Sequence, residues 1–228
     1  MALDTTRIRA LCFDVDGTLS DTDDRWVHHL SQALAPFKRV FPRCNPQALA
    51  RWLVMASETP ANMLYTFFDR LNIDDELAHL FNFLAQHKKN HKPAHFWVIP
   101  GVETMLAKLR TQYPMAVVSA RDQTSTYAFL EQYNLISHFD AIATSQTCRY
   151  TKPFPDPVIW AAQQLGVHPS QCLMIGDTTV DILAGKAAGA QTVGVLCGFG
   201  QEDELLRSGA DTILASTAQV LDILLPHS

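Results

Sequence analysis

The second half of this chain alternates between short apolar segments and amphipathic segments, and this alternation restricts the folds open to it. Five apolar segments rich in β-branched residues are predicted as strands: Met115–Ser119, Ala141–Thr144, Cys172–Gly176, Thr192–Leu196 and Thr212–Leu214. Helices are predicted between and after them, near 122–134, 156–166, 179–188, 201–208 and 216–225. Strands that alternate with helices form a parallel sheet covered by helices on both faces. The pattern therefore predicts an α/β fold.

A long helical insertion interrupts this pattern near the start of the chain. Arg9–Asp14 is predicted as a further strand, but residues 21 to 95 hold no convincing strand. Apolar residues there recur at three- and four-residue spacing, as in Leu49, Trp52 and Leu53, which is typical of amphipathic helices. A helix near 102–112 then leads back to the alternating pattern. We predict an α/β core of residues 1–20 and 97–228 and an all-α domain of residues 21–96.

Composition excludes several classes of function. The 228 residues are 47% hydrophobic, enough for one substantial core and a smaller second domain. The net charge of −5 indicates no binding to nucleic acid or to an anionic membrane. No signal-peptide pattern is visible, and no apolar run approaches the roughly 20 residues of a membrane span, so we expect a cytoplasmic protein. Five cysteines without a CxxC pair do not indicate a disulfide framework.

Two carboxylates lie two residues apart where the first strand ends, in Asp14-Val15-Asp16-Gly17-Thr18-Leu19. In open parallel sheets, ligand sites form at the carboxyl ends of strands. Like charges this close need a cation or a shared proton. The arrangement therefore suits a metal site, or a nucleophile beside a proton donor. An Asp-rich turn without function is the alternative.

A second acidic strand end follows Cys172–Ile175, in Gly176-Asp177-Thr178-Thr179-Val180-Asp181. Asp177 ends the predicted strand, and Asp181 falls on the first turn of the next helix. A hard cation such as Mg²⁺ prefers oxygen ligands and needs only one or two carboxylates. Helix capping is the alternative for these residues. Together with the first site, Asp177 fits a metal ligand better than a cap.

Two further strand ends carry groups that suit a phosphate. Val117-Val118-Ser119-Ala120 ends in a hydroxyl followed by a loop N–H, and Lys152 precedes a proline-rich turn into a helix. A lone serine or lysine at such a place is usually solvated surface. Here all the polar groups follow strands of one predicted sheet, and this convergence indicates a common site.

These four segments together resemble the haloacid dehalogenase-like (HAD) hydrolase superfamily over nearly the whole chain. DVDGTL at 14–19 matches the first motif of that superfamily, Ser119 the second, Lys152 the third, and GDTTVD at 176–181 the fourth. The resemblance implies a Rossmann-like three-layer core, and the insertion resembles a C1-type helical cap. Within the superfamily, the chain is most similar to phosphoglycolate phosphatase-like proteins.

The resemblance implies a Mg²⁺-dependent phosphatase that works through an aspartyl-phosphate. Asp14 would be the nucleophile and Asp16 the general acid and base. Lys152 would be catalytic and would also contact the phosphoryl group, which Ser119 and the N–H of Ala120 would hold. The implied metal site comprises the carboxylates of Asp14 and Asp177, the main-chain carbonyl of Asp16, and Asp181 either directly or as indirect support.

Four other functions are weighed against this one. Asp16 excludes haloacid dehalogenases and phosphonatases, which resemble this chain but lack the second aspartate. Phosphomutases of the β-phosphoglucomutase type keep it, but they carry a cap histidine where this chain has Trp26. A non-catalytic binding protein on the same scaffold is disfavoured because every motif residue is present.

The sequence does not identify the substrate. We expect a small phosphorylated metabolite, with phosphoglycolate as the first choice. Arg25, His28 or His29, at the start of the cap, is expected to recognise its organic part. We expect a monomer, with pairing through the apolar cap as the alternative. Gly194, Gly198 and Gly200 are too loosely spaced for a dinucleotide-binding loop and are given no role.

Overall fold

The computed structural model describes residues 3–21 and 96–225 of the chain. Within these residues, six strands form one sheet in which every neighbouring pair is parallel, in the order β3-β2-β1-β4-β5-β6. The strands are β1 (Ala10–Phe13), β2 (Met115–Val118), β3 (Ala141–Ala143), β4 (Cys172–Gly176), β5 (Gln191–Val195) and β6 (Thr212–Leu214). The predicted parallel sheet is confirmed.

Helices connect the strands of the sheet. In the described part of the chain these are α1 (Val102–Leu109), α2 (Gln123–Gln132), α3 (Asp156–Gln164), α4 (Thr179–Ala188), α5 (Glu202–Arg207) and α6 (Val220–Leu224). Short 3-10 turns lie at Thr5–Arg7, Ile136–His138, Pro169–Gln171 and Thr217–Gln219. The last predicted helix, near 216–225, is a 3-10 turn that continues into α6.

The strands form because alternate side chains find apolar partners on opposite faces of the sheet. In β1, Leu11 and Phe13 join a core with residues of α1, α2 and α6. Ala10 and Cys12 point to the other face and pack with residues of α3 and α4. Helices therefore cover both faces, as apolar strands of a parallel sheet require. The three-layer core is confirmed.

The strand order places the carboxyl ends of β1 and β4 at the centre of one edge of the sheet. From β1 the chain proceeds outward to β2 and β3, and then returns to β4 on the other side of β1. Ligands of open α/β sheets bind outside the carboxyl ends of the strands at such a reversal. The residues that follow β1 and β4 are therefore the first candidates for a functional site.

The insertion leaves and rejoins the core at one point. The N–H of Asp21 donates to the carbonyl of Trp97 at 2.7 Å, and the N–H of Ile99 donates to Leu19 at 3.0 Å. Residues 22–95 lie outside the described residues, and the helical cap predicted there stays a prediction. The chain divides into two compact units, Met1–Trp26 with Phe96–Ser228 and Val27–His95.

Among the described residues, no helix is both long enough and apolar enough to cross a membrane.

Gly189 supplies a stability test of the helix end that the sequence predicts. It ends α4 with a left-handed backbone, φ +83°, and no atom lies near the position that a Cβ would occupy. We expect Gly189→Ala to lower the free energy of unfolding by about 1 kcal/mol, because a Cβ strains this conformation. Gly189→Asn should lose less, since asparagine tolerates the left-handed region. Urea unfolding measures both, and equal losses would contradict the backbone explanation.

Candidate active site

Asp14 lies at the centre of the sheet edge, between the ends of β2 and β4. Its N–H donates to the carbonyl of Ile175 at 2.9 Å. The preceding residue, Phe13, pairs with Val117 of β2 on one side and with Ile175 of β4 on the other. Only 5% of Asp14 is exposed. The registers of β1, β2 and β4 therefore fix the main-chain position of Asp14.

A buried lysine joins Asp14 to Asp181. The Nζ of Lys152 donates to Oδ1 of Asp14 at 2.5 Å and to Oδ1 of Asp181 at 2.6 Å. The side chain of Lys152 is 3% exposed. Three charged groups so far from water are stable only if they are paired and hydrogen-bonded. Lys152 thus holds the loop before α3 against the end of β1 and the first turn of α4.

Asp181 also organises the start of α4. Its Oδ2 accepts two hydrogen bonds from Thr178, from the N–H at 3.0 Å and from the hydroxyl at 2.6 Å, as part of a capping box. A Cβ on Gly176 would overlap the side chain of Asp181. Asp181 is therefore a helix-capping residue and a partner of Lys152 at the same time.

Asp177 is oriented by groups from two other loops. The N–H of Phe199 donates to Oδ2 of Asp177 at 2.8 Å, and the hydroxyl of Thr18 lies 3.4 Å from Oδ1. A Cβ on Gly198 would overlap Oδ2 of Asp177, and one on Gly200 would overlap its carbonyl oxygen. The loop after β5 can therefore pass over Asp177 only because both positions are glycine.

Sequence reasoning gave these two glycines no role because it tested them only as a dinucleotide-binding loop. The available signal was their place directly after a strand of the same sheet. Thr18 was also visible within the first acidic segment, but its contact with Asp177 joins residues 159 positions apart. Only the fold brings them together.

Three buried carboxylates fit a divalent metal ion. Asp14, Asp177 and Asp181 each offer an oxygen within 4.8 Å of the others, the one group of this kind among the residues the structure describes. An all-oxygen donor set suits a hard cation. With Asp16, four carboxylates face two side-chain cations here, Lys152 and Arg121. A divalent ion would balance the excess negative charge.

Burial dominates the electrostatics of the site. It raises the pKa of Asp14 from 3.8 to about 7; Lys152 opposes this change, while Asp181 and Asp16 add to it. Burial alone lowers the pKa of Lys152, but the adjacent Asp14 and Asp181 outweigh burial and hold the pKa above its usual value. Lys152 is therefore a permanent cation, and without a metal ion Asp14 takes up a proton readily.

Ser119 and Ala120 follow β2, the strand beside β1. The N–H of Ser119 donates to the carbonyl of Ala143 at 2.9 Å, and Ser119 is 3% exposed. Its Oγ accepts from the N–H of Arg121 at 3.1 Å. Ala120 is half-buried. The structure thus brings the second motif to the same sheet edge as Asp14.

Arg121 is a site residue that the sequence analysis missed. Its Nε donates to Oδ2 of Asp16 at 2.5 Å, and its Nη2 donates to Oδ1. An arginine near a strand end is common, and its partner lies 105 positions away in the chain. The only sequence signal was its place two residues after Ser119.

The structure brings most of the predicted residues to one place. Asp14, Lys152, Asp177 and Asp181 form a single cluster, with Asp16 and Ser119 on neighbouring loops. The candidate substrate-reading residues lie outside the described residues: Arg25, His28 and His29. The chemical roles of all these residues stay predictions.

Comparison with known proteins identifies the family. A profile of the family described as haloacid dehalogenase-like hydrolase matches residues 11–195, most of the chain. This chain belongs to the haloacid dehalogenase-like hydrolases. The resemblance seen in the four motifs is thereby confirmed.

Relatives of this hydrolase cover nearly its whole length. It is 27% identical to the phosphoglycolate phosphatase of Chromobacterium violaceum, over 95% of this chain and 96% of that protein. It is 27% identical to the pyrophosphatase PpaX of Bacillus velezensis, over 83% of each chain. A haloacid dehalogenase-like hydrolase structure from Streptococcus pneumoniae superposes with a TM-score of 0.68 at 23% identity, covering 96% of this chain and 99% of that one. That structure shares the fold.

The loop after β5 gives a test of metal binding in this hydrolase. We expect Gly198→Ala to weaken the binding of a divalent ion about tenfold or more, because a Cβ at this position displaces the carboxylate of Asp177. Gly194→Ala is the matched control, since its Cβ would meet the side chains of Ile213 and Leu205 and no carboxylate of the site. Isothermal titration with Mg²⁺ measures both affinities. Equal affinities in the two variants would contradict the orienting role of this loop.

The raised pKa of Asp14 predicts how pH affects stability without metal. Between pH 3.8 and about 7, folded Asp14 holds more proton than unfolded Asp14. Stability therefore falls as pH rises through this window, because the folded state must release that proton. In chelator, the free energy of unfolding of the wild type should decline more than that of Asp14→Asn from about pH 5 to about pH 8. Parallel curves in urea would contradict the burial effect.

Proposed function

We propose that this hydrolase is a Mg²⁺-dependent phosphoric monoester hydrolase that acts on a small phosphorylated metabolite through an aspartyl-phosphate on Asp14. The observation that carries the proposal is the buried cluster of Asp14, Lys152, Asp177 and Asp181 at the reversal point of the sheet. An anionic nucleophile that must approach an anionic phosphate needs local positive charge. Lys152 and the metal site supply that charge.

Asp14 attacks phosphorus through a carboxylate oxygen. A bond forms between this oxygen and phosphorus, while the bond from phosphorus to the ester oxygen breaks. The ion pair with Lys152 keeps the Asp14 carboxylate oriented, and burial excludes the water that would otherwise solvate it. Orientation before reaction removes part of the entropic barrier. Lys152 would also stabilise charge on the phosphoryl group as it moves.

Ser119 and Ala120 are proposed to bind the other phosphoryl oxygens. The Ser119 hydroxyl and the Ala120 N–H follow β2, and β2 pairs directly with the strand that carries Asp14. Hydrogen-bond donors held in place before the reaction stabilise charge that develops on these oxygens. The pairing of β1 with β2 supports this assignment.

Asp16 exchanges the protons that both half-reactions need. It gives a proton to the leaving ester oxygen, which departs with the electron pair of the broken bond. The resulting carboxylate then takes a proton from the water that attacks the aspartyl-phosphate. As the water oxygen bonds to phosphorus, the bond from phosphorus to the Asp14 oxygen breaks and its electron pair stays on the Asp14 carboxylate. Free phosphate leaves, and Asp16 is protonated again.

Mg²⁺ would be held by the carboxylates of Asp14 and Asp177 and by the main-chain carbonyl of Asp16, with Asp181 as a direct ligand or as indirect support. When bound there, the ion would offset the repulsion between the carboxylates and the phosphate. The excess of negative charge among these buried groups supports a divalent ion, and their oxygen donors support Mg²⁺.

The substrate is proposed from the relatives. Similarity to a phosphoglycolate phosphatase and to a pyrophosphatase supports a small phosphorylated compound, with phosphoglycolate as the first candidate. Arg25, His28 and His29 are proposed to select its organic part. A kinetic screen of phosphoglycolate, pyrophosphate, sugar phosphates and nucleotides tests this choice, and substitution of these three residues should change the order of preference.

Asp14→Asn tests the proposed chemistry. We expect the wild type to hydrolyse p-nitrophenyl phosphate only with Mg²⁺, and Asp14→Asn to lose at least about 1,000-fold in kcat, since an amide cannot form the acyl phosphate. Acid quench followed by mass spectrometry should find one phosphoryl group on Asp14 of the wild type.

The matched control is Asp222→Asn, because Asp222 is exposed on α6 and outside the site. It should keep full activity. A wild type as inactive as Asp14→Asn across the substrate screen would reject the enzyme and favour a binding protein. Transfer of the phosphoryl group to a sugar hydroxyl, with no label from isotopic water in the phosphate, would favour the phosphomutase alternative.

A further inference from the structure

Arg121 holds both carboxylate oxygens of Asp16. The Nε to Oδ2 distance is 2.5 Å, and Nη2 donates to Oδ1, so the guanidinium fork meets the carboxylate at two points. The side chain of Arg121 is only 13% exposed and that of Asp16 only 15%. Bidentate pairs of this kind define geometry as well as adding energy. A single bond would leave the carboxylate free to rotate, whereas two bonds fix its plane.

Arg121 is itself held by its main chain. Its N–H donates to the Oγ of Ser119 at 3.1 Å, and its carbonyl accepts from the N–H of Ser145 at 2.8 Å. The arginine backbone is therefore attached to the proposed phosphate-binding loop after β2. Any group that Arg121 orients is oriented relative to the phosphoryl site.

The guanidinium is also supported from its apolar side. It lies over the ring of Phe96, with Cζ 5.0 Å from the ring centroid. Phe96 is buried and meets Phe129 of α2 edge to face at 5.7 Å, and its carbonyl accepts from the hydroxyl of Tyr133 at 2.7 Å. A side chain fixed in this way gives up little further entropy when it binds Asp16.

We propose that Arg121 is a positioning residue for Asp16, holding its carboxylate where it can reach the oxygen of the leaving alcohol. This inference rests on the proposed function. The rate of proton transfer falls steeply when donor and acceptor are misplaced by about 1 Å, so fixing the plane of the carboxylate favours the transfer. As the proton moves from Asp16 to the ester oxygen and the bond to phosphorus breaks, the carboxylate that remains is already paired with a cation.

A role in substrate binding would require a different arrangement. A guanidinium that binds an anionic substrate group through its Nε and Nη2 should direct these two atoms toward the substrate, but both of them donate to Asp16. The two roles predict different kinetics. A positioning residue affects the step that needs a proton, whereas a substrate-binding residue raises KM for anionic substrates.

The leaving group provides the test. An alkyl phosphate needs a proton on its departing oxygen, whereas p-nitrophenolate leaves readily without one. We expect Arg121→Gln to lower kcat/KM for the alkyl phosphate found in the substrate screen about 100-fold, and for p-nitrophenyl phosphate less than about 10-fold. KM for the alkyl phosphate should change by less than about threefold. Arg121→Lys should show the same order with smaller losses, because lysine keeps the charge but not the fork.

A double-mutant cycle separates positioning from other effects. In an Asp16→Asn background, Arg121→Gln should lower kcat/KM by no more than about twofold, because its effect passes through Asp16. Arg110→Gln is the matched control, since Arg110 also pairs with an aspartate, Asp140, but at the surface. It should keep wild-type kinetics.

Three results would overturn the inference. The first is an equal loss of kcat/KM on both substrates, and the second is a rise in KM as the main effect of Arg121→Gln. The third is a double mutant in which Arg121→Gln lowers kcat/KM as much as it does in the wild type. Thermal unfolding of each variant identifies a folding defect; if Arg121→Gln does not fold, Arg121→Lys carries the same comparison of substrates. A wild type inactive on all phosphate esters would reject the proposed function and this inference together. An active wild type with an additive cycle would reject the inference alone.

Discussion

The ion pair network of Lys152 with Asp14 and Asp181 is the interaction on which the rest of the site depends. Two carboxylates brought together inside a protein repel each other and lose their hydration, so they require a cation held at short range. Lys152 meets both at 2.5 and 2.6 Å. It joins the loop before α3 to the end of β1 and to the first turn of α4. Without it, neither carboxylate would remain both buried and charged.

Groups from other loops hold Asp177 and Asp16, while Asp181 is also held by a residue of its own turn. The N–H of Phe199 fixes Asp177, the fork of Arg121 fixes Asp16, and Thr178 shares Asp181 with Lys152. Such support lets the strand ends present charged groups with little freedom to relax, which is the condition for electrostatic catalysis. The sheet supplies this rigidity because its parallel strands are buried on both faces.

Much of the fold follows from local pattern. The strand over Cys172–Gly176 was predicted with the bounds that the structure has, because a continuous apolar segment before an acidic turn has few other solutions. Gly189 ends its helix as predicted. The strand Thr212–Leu214 and the helix over 179–188 also have the predicted bounds. Other bounds differ by one to a few residues, since helix and strand ends depend on partners that local sequence does not contain. The cap stays a prediction.

By itself, the sequence determined the fold class, the family and the chain positions of Asp14, Asp177 and Lys152. These depend on periodicity and on motifs that are local in the chain. Only the tertiary structure decided how the carboxylates are paired: the fork of Arg121 on Asp16, and the passage of Gly198 over Asp177. Those contacts join residues more than 20 positions apart, and their geometry depends on strand order and register. A single sequence does not record which distant loops meet, because only packing of the folded chain brings them together.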